Sequence, residues 1–107
     1  MGWSSLRVSL RNELDDAVKV RLRIDVNGSE QVNRLVKLEG GENRELDLSV
    51  DVPYGATVHY HASLPATGDA AEAAFEASPS FWGGNKCRFE AAVTVGNEGV
   101  SIGPYCM

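Results

Sequence analysis

Only two cysteines, two histidines and two tryptophans occur in this chain of 107 residues, and no long apolar run is present. No segment approaches the ~20 apolar residues that a bilayer-spanning helix needs. The stretch from Ala70 to Ala77 comes nearest, and Glu72 and Glu76 interrupt it. Without a Cys-x-x-Cys pair there is no basis for a dithiol redox centre. A Ser-His-Asp order, a phosphate-cradling loop and a nucleotide fingerprint are all missing, and Gly83-Gly84 alone is too little to hold phosphate. A basic excess is missing as well. The net charge is −5 and the pI about 4.9, which argues against a nucleic-acid partner. Met1-Gly2-Trp3-Ser4-Ser5 has neither the charged nor the apolar region of a secretory leader. Convincing crossover helices are also lacking, which disfavours a parallel α/β fold.

What the chain does have is alternation. Val18, Val20, Leu22, Ile24 and Val26 alternate with Lys19, Arg21, Arg23 and Asp25. The same period of two runs through Leu46, Leu48, Val50 and Val52, and again through Val58, Tyr60, Ala62 and Leu64. A period of two buries one face of a strand and wets the other. Strands are predicted at about residues 6–11, 17–26, 31–38, 45–52, 57–64, 87–95 and 100–106. Asn27-Gly28 is a strong hairpin signal, since both residues tolerate positive φ. Arg34 breaks the phase of the third strand, which marks an edge strand or a bulge. Residues 69–77 fit either one or two helical turns capped by Asp69 or a short strand around Ala73, Phe75 and Ala77. Seven strands at roughly ten-residue spacing predict one immunoglobulin-like antiparallel β-sandwich over residues 1–107.

Four features carry possible chemistry. Cys87 and Cys106 flank the 96–99 hairpin on one face, and a one-residue bulge brings them within disulfide range. They are read as a disulfide, or else as two separate buried thiols. His59 and His61 lie two apart, so both imidazoles share the polar face of one strand. A metal ion there needs a third ligand from a neighbouring strand, with Asp47, Asp51 or Glu90 as candidates. Phe81, Trp82 and Asn85 sit in a glycine-rich loop spanning residues 79–86. They either present rings to a sugar or peptide, or plug the end of the core. Asn27-Gly28-Ser29 matches a glycosylation acceptor, although the hairpin explains the same residues. Charge is also uneven: residues 1–37 carry seven basic and five acidic groups, and residues 38–107 carry three and ten. Cross-strand pairing on a solvated face or a bipolar surface that steers a partner accounts for this.

Asn12, the ladder from Val18 to Val26, Asn27-Gly28, Val36, Leu38, Gly41-Glu42, Gly55, Val58, Tyr60 and Ala62 together resemble the CARDB-type, immunoglobulin-like modules of prokaryotic cell-surface proteins. The resemblance spans about half the chain. It implies an extracellular interaction or spacer domain, with no active site to carry over. The expectation is thus a non-enzymatic extracellular interaction or spacer module. It is a monomer without a cofactor or transmembrane segment, and its partner is a protein or glycan. A carbohydrate- or peptide-binding domain using loop 79–86 and a metal-binding protein using His59 and His61 are the alternatives. A cytoplasmic location is the alternative compartment, and an oxidised cysteine pair favours the extracellular one.

Overall fold

Alternation becomes two layers in the computed structural model, which describes residues 2–53, 55–76 and 90–104. The described strands are β1 (Gly2–Asn12), β2 (Val18–Val26), β3 (Ser29–Leu38), β4 (Asn43–Pro53), β5 (Thr57–Ser63), β6 (Ala70–Glu76), β7 (Glu90–Gly96) and β8 (Gly99–Pro104). One sheet has the order β4-β1-β7-β8 and the other β3-β2-β5-β6. The apolar phase of each strand points into the space between them. Leu6, Val8, Leu10, Leu22, Ile24, Val52, Val58, Tyr60 and Val93 are almost fully buried there. Among the described residues there is no helix, and so none long and apolar enough to cross a membrane.

β1 and β4 stand side by side, as strands B and E do in an immunoglobulin-like sandwich. β2, β5 and β6 stand as C, F and G, with β3 beside β2 in the place of C′. β7 fills the slot on the other side of β1 and runs parallel to it, Arg7 facing Glu90 and Asn12 facing Val95. Among the described residues the sandwich is therefore antiparallel except at this one pair. β6 and β8 pack against each other across one open side, while β3 and β4 barely touch across the other.

Two local features that the sequence leaves open are decided by the fold. Residues 70–76 form a strand, which brings the described total to eight. Alanine favours a helix by propensity and its periodicity here fits both, and the free backbone edge of β5 decides the matter. β6 pairs along it from Thr57–Glu76 to Ser63–Ala70 and turns Phe75 into the core. Asp69 caps no helix. It exchanges hydrogen bonds with Thr67 at 3.0 and 3.3 Å and closes the β5–β6 turn, where Leu64 N–H donates to Asp69 O at 2.8 Å. In β3, both an edge position and a bulge are present. The bulge lies at Gln31, where the register jumps from Ile24–Val32 to Asp25–Glu30. Arg34 keeps the inward phase opposite Leu22, and the sheet edge lets its charge reach water. Leu35 is left on the outer face, 48% exposed.

The β2–β3 hairpin closes as its sequence requires. Asn27 and Gly28 have φ of 51° and 82°, the left-handed pair of a type I′ turn. Asn27 Oδ1 then accepts from Thr57 N–H at 3.0 Å, tying the turn to the start of β5. The opposite end of the sandwich is gathered by Asn12, which is 1% exposed. Its Nδ2 donates to Asp16 O at 2.8 Å, Glu39 O at 3.0 Å and Leu38 O at 3.4 Å, while its Oδ1 accepts from Leu14 N–H at 3.0 Å. One side chain thereby ties the end of β1 in one sheet to the end of β3 in the other.

Candidate functional site

The outer face of the β3-β2-β5-β6 sheet holds a connected group of titratable side chains. Period-two alternation brings it about. Arg23 and Asp25 are among the outward residues of β2, His59 and His61 among those of β5, and Glu72 among those of β6. Register does the rest: Asp25 lies opposite His59, Arg23 opposite His61, and His61 opposite Glu72.

The contacts form one connected set. His61 Nδ1 lies 3.0 Å from Glu72 Oε1, and His61 Nε2 lies 3.6 Å from Asp25 Oδ2. Arg23 Nη2 donates to the same Asp25 oxygen at 3.0 Å, and its Nε stands 3.9 Å from Glu30 Oε1. The hydrogen bond and charge of Asp25 first, and the charges of Glu30 and Glu72 after it, hold the Arg23 guanidinium pKa above its ordinary value. The rings of His59 and His61 stack at 6.2 Å between centroids with planes 17° apart. Asp25 is the covered member, with a side chain 14% exposed. Its Oδ1 is buried without a hydrogen-bond partner. Unpaired buried carboxylate oxygens are uncommon, because desolvation without a partner is costly.

The expected third metal ligands are corrected here. Asp47 and Asp51 lie on β4 and Glu90 on β7, all in the other sheet. Asp47 pairs instead with Arg7 at 3.0 Å. The acidic neighbours of the histidine pair are Asp25 and Glu72, which alternation alone marks as outward but only strand order brings together. Among the described residues, no three His, Cys, Asp or Glu side chains already converge as a metal centre. Phe81, Trp82, Asn85, Cys87 and Cys106 lie outside the described residues.

Two shallow hollows mark the other sheet. One, about 530 Å³, is lined by Glu13, Thr94, Asn97, Glu98 and Ser101 beside the β7–β8 turn. The second, about 300 Å³, crosses the outer face at Ser9, Arg11, Asn43, Glu45 and Thr94. Both are open to solvent, the first mainly polar and the second lined in part by Leu10, Ala92 and Val93, and neither encloses a ligand as a buried small-molecule pocket does. No protein-family model matches this chain, and no curated protein or solved structure matches it either.

Proposed function

We propose that this chain is a non-enzymatic interaction module of an extracellular or cell-surface protein, of the CARDB-type kind that its first half resembles. The observation that carries the reading is strand direction. β1 starts at one end of the sandwich, and β8, antiparallel to β7, runs back toward that same end. The opposite end of the sandwich is thereby left as a surface of turns, which favours interaction over spacing.

That far end carries four turns. Asp15 and Asp16 of the β1–β2 turn and Glu98 of the β7–β8 turn have no ion pair among the described residues. Glu13, Glu39 and Glu42 are paired with Arg11, Lys37 and Arg44. Much of the chain's negative charge is thus displayed there, and the partner class it fits is a protein with a basic surface.

The test is binding of the labelled full chain to a panel of secreted and surface proteins beside a glycan panel. The expected ligand is a protein whose affinity falls with added salt and with the triple change Asp15→Asn, Asp16→Asn, Glu98→Gln, at an unchanged thermal midpoint. Binding that survives the triple change and disappears in Trp82→Ala would move recognition to loop 79–86 and overturn the proposal. A chain that binds nothing on either panel would leave a scaffold only.

A further inference from the structure

We propose that the free edge of β4 takes an extended segment of a partner protein as an added strand, one whose side chains alternate between basic and apolar.

Each sheet ends in two edge strands, β4 and β8 in one and β3 and β6 in the other. β6 and β8 pack against each other, which closes that side of the sandwich. β3 and β4 barely touch, so both of their edges are open among the described residues. β3 carries two devices that refuse a further strand. The bulge at Gln31 breaks its register, and Arg34 puts a charge on the inward phase. β4 has neither between Glu45 and Ser49. Its register against β1 is regular there and shifts only beyond Ser49. The inward residues of this stretch are Leu46 and Leu48, and Leu46 is only partly covered.

Hydrogen-bond parity decides which backbone groups that edge offers. Asn12 N–H donates to Glu42 O at 2.9 Å, in the same register that pairs Leu10 with Arg44 and Val8 with Leu46. Bonded pairs alternate along an antiparallel ladder, so Arg44, Leu46 and Leu48 direct their N–H and C=O groups to β1. Asn43, Glu45 and Asp47 direct theirs away from it. Among the described residues no strand or turn takes these groups up. Backbone donors and acceptors require partners, and an added strand supplies them along the whole edge.

Charge selects the occupant. The outward side chains of β4 include Glu45, Asp47 and Asp51, all exposed and of one sign. Arg7 pairs with Asp47, while Glu45 and Asp51 have no ion pair among the described residues. A strand added at this edge sets its own side chains directly beside them, where opposite charges attract and like charges repel. Two β4 edges meeting across a two-fold axis would set acid beside acid. A β3 edge from a second copy would bring Arg34 onto the apolar inward phase beside Leu46 and Leu48. A second copy is thereby disfavoured and a basic strand favoured. The apolar half of the alternation follows from the pleat. Partner residues opposite Leu46 and Leu48 point inward and cover the part of Leu46 that faces water. This edge is distinct from the turns that carry Asp15, Asp16 and Glu98 and works without them.

The experiment is amide hydrogen exchange, read by NMR on the full chain alone and with a short, end-capped peptide alternating Lys and Val. In the free chain the amides of Glu45 and Asp47 should exchange fast beside slow Leu46 and Leu48. The peptide should move Glu45 and Asp47 into the slow class, and added salt should weaken its binding. A peptide of the same composition, with Lys and Val in separate blocks, should leave those amides fast. Glu45→Pro removes one edge donor without touching the β1 ladder and should weaken binding about 10-fold. Glu45→Lys should weaken it about 2- to 5-fold, and thermal midpoints show whether each variant is folded. The triple change Asp15→Asn, Asp16→Asn, Glu98→Gln should leave peptide binding unchanged, which separates this edge from the far-end turns. Edge amides already slow in the free chain, no binding of the alternating peptide, or binding that leaves them fast would each overturn the proposal. So would equal protection by the block peptide, or self-association of the chain through this edge.

Discussion

Replacing Asn12 by alanine should destabilise this sandwich more than any single change on its solvent faces. The side chain is fully inside, yet it makes no use of apolar contacts. Its role is to satisfy backbone groups at the point where the β1–β2 and β3–β4 turns meet. Removing it leaves Leu14 N–H without its acceptor and the carbonyls of Asp16 and Glu39 without a donor. A buried group stripped of its partner costs about 1–3 kcal/mol. The two carbonyls lie near the surface and recover part of that from water, so the sum comes to about 3 kcal/mol. Single domains are stable by only about 5–15 kcal/mol, so this is a large share. It corresponds to a fall of roughly 12–24 °C in thermal midpoint, at about 4–8 °C per kcal/mol for a chain of this size. Asn12→Asp is the sharper probe. It keeps the acceptor for Leu14 N–H but turns a carboxylate oxygen toward three carbonyl oxygens, and it should also lose about 3 kcal/mol at neutral pH. Arg21→Ala, which removes only the exposed 2.9 Å bond to Asn33, should change stability by less than about 0.5 kcal/mol. Urea unfolding of the four proteins measures all of this. If Asn12→Asp matched the parent, or Asn12→Ala fell within about 0.5 kcal/mol of it, the clamp would not hold the two turns as argued.

Gly40→Ala should cost about 1–3 kcal/mol by denaturant unfolding, because a methyl group at Gly40 runs into the backbone of Asp15 where the two turns touch. Tyr60→Phe should unfold no earlier than the parent and up to about 1–2 kcal/mol later, since the Tyr60 hydroxyl is buried with no partner. Burial raises the Tyr60 pKa above its ordinary value of 10.0, so the phenol stays neutral in the folded chain while the unfolded chain ionises. That stabilisation is complete below about pH 10 and declines as pH rises further, and ultraviolet titration should show Tyr60 ionising only as the fold opens. Intact mass of protein purified without reductant should fall below the reduced mass by the two thiol hydrogens of Cys87 and Cys106. Reduction should then lower stability by about 3 kcal/mol in the chain-entropy picture.

Much of the architecture was legible along the chain because a strand's period of two is written residue by residue. Spacing alone turns Leu6, Val8 and Leu10, the even-numbered ladder Val20 to Val26, and Ala91, Val93 and Val95 inward, and they are buried. Asn27-Gly28 was legible for a similarly local reason, as few other residue pairs accept both positive φ values. The bulge in β3 was legible in kind and misplaced in position. Arg34 broke the pattern, whereas the extra residue is Gln31, and an edge strand tolerates both.

The site was half legible. His59 and His61 share a face by spacing, but spacing does not say which strands carry their acidic neighbours. Asp47, Asp51, Glu90, Asp25 and Glu72 are all outward or strand-borne carboxylates, and alternation ranks none of them above another. Strand order alone sets Asp25 and Glu72 beside the histidines and sends Asp47 to Arg7. Asn12 shows the same division. Its position at the end of β1 was readable, but its four partners come from segments up to 27 residues away.

By itself the sequence determined the faces of the strands, the turns that need left-handed backbone, and the one-core, all-β class, since each depends on side chains a few residues apart. Tertiary structure decided which strands are neighbours, that β7 runs parallel to β1, that residues 70–76 extend as a strand, and which carboxylates meet His61. Those outcomes depend on backbone edges finding partners across the whole fold, and no local pattern of side chains encodes which edge is left open.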